Sequence, residues 1–193
     1  VLRDRNSRGG SRYVHEQLRV GSSIDISAPR NNFELDATAP HTVLVAGGIG
    51  VTPVWCILPA QVAKGLAVEF IYCARTRKES AFVDAITALC GDKVKTQLLF
   101  DDERGGPPNL QALLADKGAD SHFYCCGPSP MLDAFESTCE KLGYPNVHIE
   151  RFAAAPVVQT EPDAGFEVRL AKSGITVEVP AGKSILDAVL DAG

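Results

Sequence analysis

No apolar run in the sequence approaches the ~20 residues needed to span a bilayer. Nor is there a basic excess. The 19 lysines and arginines stand against 24 aspartates and glutamates, a formal charge of -5, which argues against a nucleic-acid binder. The six cysteines (Cys56, Cys73, Cys90, Cys125, Cys126 and Cys139) contain no Cys-x-x-Cys pair, so a zinc ribbon or a thioredoxin-type dithiol is excluded. Most of them lie inside apolar runs and read as buried, reduced thiols of a cytoplasmic protein. Residues 1–10 are polar and charged and do not have the pattern of a signal peptide. Val1 in the place of Met, and a last helix that reads as unfinished, give the expectation of a piece of a longer protein.

What the chain does have is an alternation of short apolar runs with helical patterns, which predicts an α/β domain with a five-stranded parallel sheet. Strands are predicted over 42–46, 67–73, 94–100, 122–125 and 147–152. The β-branched run Thr42-Val43-Leu44-Val45-Ala46 suits burial on both faces. Helices are predicted over 53–64, over 80–90 with Ser80 as N-cap, over 110–117, and from Ser129-Pro130 to just before Gly143. Pro59 inside the first of these predicts a kink or an early end, since it removes a hydrogen bond at a cost of about 3 kcal/mol.

The flanks differ. Residues 20–27 read as a strand, the tail of a small β-barrel. Residues 153–165 have the composition of a linker. Residues 166–179 alternate as a β-hairpin, and a helix follows over 185–192. The expected domains are a C-terminal part of a barrel over 1–38, the α/β domain over 39–152, the linker over 153–165, and the start of a third domain over 166–193.

Three segments carry chemistry. Gly47-Gly48-Ile49-Gly50-Val51-Thr52-Pro53 joins the first strand to the first helix, where glycines let backbone and ligand approach and the helix N-terminus faces a pyrophosphate. The spacing is not Gly-x-Gly-x-x-Gly. Tyr124-Cys125-Cys126-Gly127-Pro128-Ser129-Pro130-Met131 ends the fourth strand, and in a parallel sheet it opens on the same crevice. A thiol at that strand end, Cys126, is expected in the cleft and not in the core. Arg8-Gly9-Gly10-Ser11-Arg12 has the makings of a phosphate cradle.

In their order, the segments RGGS, PRNNFEL, LVAGGIGVTP, YCCGP-x-x-M, HIERF and the hairpin-helix run over 166–193 resemble the phthalate dioxygenase reductase family, near the vanillate O-demethylase reductases of the wider ferredoxin–NADP reductase superfamily. The resemblance covers essentially the whole chain. It implies a flavin barrel, a nucleotide domain and a β-grasp [2Fe-2S] ferredoxin domain, with hydride passing from NADH to FMN and electrons onward to a terminal oxygenase. Arg8, Gly9, Gly10 and Ser11 would then hold the FMN phosphate, Thr52 would touch the flavin, and Phe152 would stack on it. Gly47, Gly48, Ile49, Gly50, Thr52 and Pro53 would bind the NAD pyrophosphate. Cys126, Gly127 and Pro128 would flank the nicotinamide, with Cys126 positioning it, and Met131 completes that motif.

The four cluster cysteines would lie beyond Gly193, and the cysteines present lack the Cys-x4-Cys-x2-Cys spacing, so no metal is expected in this stretch. Two rival readings stay open: an FAD-dependent reductase of the same superfamily, and a flavin- or nucleotide-binding subunit without turnover. One segment pulls against the resemblance. Residues 74–79 follow the second strand, where the adenosine ribose binds, and carry Arg75, Arg77 and Lys78, which could attract the 2′-phosphate of NADPH.

Overall fold

The computed structural model describes residues 9–152 and 164–193. The expected linker at 153–165 therefore lies almost wholly outside the described residues. The chain divides into two compact units, Val1–Ala154 and Ala155–Gly193.

The first unit begins with α1 (Gly10–Glu16) and then builds a five-stranded sheet from β1 (Thr42–Gly47), β2 (Val68–Ala74), β3 (Lys95–Phe100), β4 (His122–Cys126) and β5 (Val147–Glu150). The order is β3-β2-β1-β4-β5. Every pairing is parallel, as the alternating pattern predicts. Every residue of β1 is buried, because it lies at the centre with helices on both faces. Alternation divides the strands between two cores. Leu44, Ala46, Phe70, Tyr72, Tyr124 and Cys126 point one way, under Val54, Ile57 and Leu58 of α2 (Val51–Ala63) and Ile86 of α3 (Val83–Cys90). Val43, Val45, Ile71, Phe123 and Cys125 point the other way. There they meet Leu114 of α5 (Leu110–Leu114) and Leu132, Phe135 and Cys139 of α6 (Ser129–Leu142). Each fully buried Leu, Ile or Phe contributes about 1.5–3 kcal/mol, so these two layers hold the strand ends in place.

Several boundaries differ from expectation. Residues 20–27 form no strand, and Val20 and Ile26 are exposed; a strand needs a hydrogen-bonding partner, and none pairs with this segment among the described residues. α2 continues through Pro59 to Ala63, because packing of Leu58 and Gln61 against the sheet outweighs the lost hydrogen bond. Ser80 does not cap α3. Its hydroxyl donates to the Thr76 carbonyl within the loop, and the helix starts after Phe82, held at φ 63°. The acidic stretch after β3 forms α4 (Asp101–Arg104), and α5 stops at Leu114. Ser129 is the first residue of α6 rather than its cap.

The second unit is the antiparallel hairpin of β6 (Phe166–Arg169) and β7 (Thr176–Val179), followed by α7 (Ile185–Asp191). Gly174 turns the hairpin at φ 72°, a conformation that favours glycine. Ser184 caps α7 by accepting from the Asp187 amide at 3.1 Å. Its core is small: Val177, Val179 and Ala188, with Val168, Leu170 and Val189 against them. Among the described residues, no helix is long and apolar enough to cross a membrane.

Candidate nucleotide-binding site

Strand order reverses between β1 and β4, which are neighbours with Ala46 opposite Cys126. In open α/β sheets the crevice outside such a switch point receives ligands. Both strands run straight into glycine turns there. After Gly47 the chain makes a single 3-10 turn, Gly48–Gly50, and enters α2. Gly48 sits at φ 54°, half-exposed, with its carbonyl accepting from the Tyr72 hydroxyl at 3.2 Å. Thr52 donates its hydroxyl to the Ile49 carbonyl at 3.0 Å, which fixes the turn from inside. No side chain caps either the 3-10 turn or α2, so their first N–H groups have no side-chain partner at the positive end of a 13-residue helix. Pro53 in the first turn costs nothing, since its missing N–H would have been unpaired.

The β4 turn closes against this one. A Cβ on Gly47 would lie 2.9 Å from Pro128 Cδ and 3.1 Å from Gly127 Cα, and would run into Met131 Sδ. One on Gly127 would lie 3.2 Å from Gly47 Cα and 3.0 Å from the same sulfur. A Cβ at Gly47 would not fit without a shift and one at Gly127 would be tight, so both glycines allow the two backbones to approach. Gly48 is the opposite case, with nothing within 4 Å of its Cβ position. Of the residues singled out in the sequence, Gly47 to Pro53 and Cys126 to Met131 are thus brought together, with one open backbone surface at Gly48.

Cys126 requires correction. Its side chain is only 1% exposed and packs in the core with Tyr124 and Val51, so it is not a thiol open to the cleft. As the last residue of β4 it follows the strand's alternation inward. Burial, with Glu150 adding to it, pushes the thiol up to about 12, and it stays protonated at neutral pH. What it offers the crevice is its backbone.

The loop after β2 carries Arg75, with Arg77 paired to Glu103 of α4. The sequence reading missed α4 because three consecutive acids followed by glycines and prolines look like an irregular loop. It also missed the stacking of Trp55 on Phe82, 5.9 Å between centroids and 8° between planes. The left-handed backbone at Phe82 that makes it possible has no sequence signature.

Of the expected flavin residues, Thr52 lies in the first of these turns, where Val51 opens α2. Arg8 is outside the described residues. Gly9 precedes α1 as its N-cap, and Gly10 and Ser11 begin the helix, which buries no residue and belongs to neither core. Phe152 follows β5 and is 58% exposed. Among the described residues no group of His, Cys, Asp or Glu is placed to hold a metal ion.

No protein-family model matches the chain. It is 44% identical over 193 residues to phenoxybenzoate dioxygenase subunit beta of Ectopseudomonas oleovorans, covering all of this chain and 59% of that protein. It is 39% identical over 198 residues to a vanillate O-demethylase oxidoreductase of a Pseudomonas species, covering all of this chain and 61% of the relative. Among solved structures it is similar to phthalate dioxygenase reductase, a modular structure for electron transfer from pyridine nucleotides to [2Fe-2S]. That likeness has a TM-score of 0.73 and 32% identity, and covers the whole chain and 60% of the other. The chain therefore spans about three fifths of the length of these proteins. Over that stretch, it is homologous to the vanillate O-demethylase oxidoreductases and similar in fold to phthalate dioxygenase reductase.

Proposed function

We propose that the intact protein is the reductase component of an aromatic oxygenase or O-demethylase system, moving electrons from NADH through FMN to a [2Fe-2S] centre and on to a terminal oxygenase. The relatives carry such names, and the observation that supports the reading in this chain is the meeting of the two glycine turns at the β1/β4 switch point. Residues 1–38 then belong to the flavin module, 39–152 to the nucleotide domain, and 166–193 to the ferredoxin module.

The donor set fits a dinucleotide. Uncapped N–H groups of the Gly48–Gly50 turn and α2 face the pyrophosphate, and the absence of a side chain at Gly48 leaves its approach free. Gly127 and Pro128 form the wall against which the nicotinamide lies, with Cys126 contributing backbone and shape. In this reading Thr52, anchored to Ile49, and Phe152, exposed after β5, meet the flavin, and Arg8, Gly9, Gly10 and Ser11 hold its phosphate. When bound, the flavin supplies the conversion of a two-electron hydride donor into single-electron steps. The chain's part is positioning, and no side chain is needed as acid or base.

Anaerobic rapid mixing of the complete protein with NADH tests this. Flavin absorbance is expected to bleach within one turnover, followed by reduction of the iron–sulfur absorbance. A flavin that stays oxidised under excess NADH would reduce the protein to a binding subunit.

A further inference from the structure

The cations after β2 are the groups that a 2′-phosphate on the adenosine ribose would meet. Arg77, however, is already engaged. Its Nε donates to Glu103 Oε1 at 3.0 Å and its Nη2 to Oε2 at 3.3 Å, a two-pronged pair. Its Cζ lies 4.3 Å from the centroid of the Phe100 ring, and Phe100 is fully buried. Two donors and one face of the guanidinium are therefore spent on the β3–α4 junction, where Phe100 ends the strand and Glu103 sits in the following turn.

α4 is fastened to the same loop by its backbone, the Asp102 amide donating to the Arg75 carbonyl at 3.1 Å. The rim thus carries Arg75, Arg77, Lys78 and Arg104 against Glu79, Asp101, Asp102 and Glu103, and its formal charges cancel. A 2′-phosphate brings roughly two further negative charges to this place. It would have to draw Arg77 off Glu103 and leave that carboxylate unpaired beside it.

We propose that Glu103 is a specificity-determining residue, which by holding Arg77 over Phe100 withholds the loop's forked phosphate ligand and selects NADH over NADPH. The inference rests on the nucleotide reading given above. The pair is half-exposed, at 52% and 48%, so it competes with a phosphate rather than barring it, and the discrimination it supplies is modest, up to about fivefold.

The test uses the complete protein with Glu103→Gln, Glu103→Ala and the double variant Glu103→Gln/Arg77→Ala. Steady-state kcat/KM is measured with NADPH and NADH, and 5′-AMP and 2′,5′-ADP are compared as competitors. Both single variants should raise the NADPH-to-NADH ratio by about fivefold and strengthen 2′,5′-ADP relative to 5′-AMP. Removing Arg77 as well should return the ratio to that of the parent. A ratio that stays within about twofold of the parent in both single variants, while 5′-AMP still competes, overturns the inference alone. A rise that survives Arg77→Ala overturns the pair as its cause. Failure of both mononucleotides to compete in the parent protein overturns the nucleotide reading, and this inference with it.

Discussion

Gly50 lies against the Cys126 carbonyl so closely that a Cβ at this position would overlap the carbonyl and stand 2.7 Å from the Gly127 amide. Neither side of this contact can yield cheaply, since both are backbone, one in the turn after β1 and the other at the end of β4. Two glycines two residues apart in sequence therefore have opposite surroundings. Gly50 serves the fold, and Gly48, open and at φ 54°, is the one the proposed reading leaves free for the pyrophosphate.

Gly50→Ala should accordingly cost about 3 kcal/mol of stability by forcing the two turns apart. Gly48→Ala should cost only about 1–2 kcal/mol, from the left-handed backbone, and lose proportionately more nucleotide affinity. Urea unfolding of each variant beside a titration with NADH separates the two effects. Full nucleotide affinity in Gly48→Ala would move the pyrophosphate away from this turn.

The thiols make a second prediction. Cys126 is buried with its pKa pushed up to about 12, and Cys73 is buried likewise at about 12. Cys56 is exposed on α2. Brief alkylation with iodoacetamide near neutral pH, read by peptide mass spectrometry, should label Cys56 and leave Cys126 untouched. Cys126→Ser places a hydroxyl in an apolar core and should destabilise by about 1–3 kcal/mol. Early labelling of Cys126 would restore the reading of a thiol open to the crevice.

That reading shows where the sequence is legible and where it is not. The five parallel strands and the facing of two glycine turns follow from apolar runs and punctuation, and the sheet has both. Which way Cys126 points depends on where β4 ends. Strand four was expected to close at residue 125, and the added residue turns the next side chain to the other face. α4 and the left-handed Phe82 were hidden for another reason: each is held by tertiary partners, Arg75 and Trp55, that no local pattern announces. The strand expected over 20–27 failed because an alternating pattern supplies a face and not a partner.

Phe152 is 58% exposed and lies beyond β5. Phe152→Ala should change stability by less than about 1 kcal/mol, because little buried surface is lost. In the complete protein it should nevertheless alter the flavin absorbance spectrum and slow its reduction by NADH. Unaltered flavin spectra and rates would leave Phe152 with no part in stacking.

Stability should also fall with acid above the carboxylate range. His122 Nδ1 lies 3.2 Å from His148 Nε2 with the rings stacked, and Tyr124 stacks on His148 at 4.3 Å between centroids. Burial, and then the neighbouring His122, hold His148 below its ordinary pKa, with Asp36 pulling weakly the other way; burial does the same to His41. A depressed histidine favours the neutral form in the folded state. Its contribution is therefore complete above the unfolded value of about 6.5 and is lost as pH falls through the lower folded value. The urea midpoint should drop between about pH 7 and pH 5, and His148→Gln should flatten that slope without removing the share from His41. A slope unchanged in His148→Gln would assign the dependence to other groups.

The last prediction separates the sheet's two ends. Where β2 begins, far along the strand from the glycine turns, Glu69 accepts from Lys117 Nζ at 2.7 and 2.9 Å and pairs with Lys95 at 3.0 Å. Lys117 is 8% exposed and Glu69 13%, whereas Lys95 is 64% exposed. Burial works against the Glu69 charge, but the hydrogen bonds from Lys117 and Lys95 outweigh it and hold the carboxyl below its ordinary range. Lys117→Met would remove the buried partner and leave the carboxylate to Lys95 and to His41 at 3.5 Å. Loss of one partner from a buried pair costs about 3–5 kcal/mol, and the remaining partners should reduce that to about 2 kcal/mol. The Glu69 pKa should rise, so that stability begins to fall at a higher pH on acidification than in the parent. Nucleotide affinity should not change, since the crevice is built from the other ends of β1 and β4. Weaker NADH binding in a folded Lys117→Met protein would mean that the two ends of the sheet are coupled and that the crevice is not held by its glycine contacts alone.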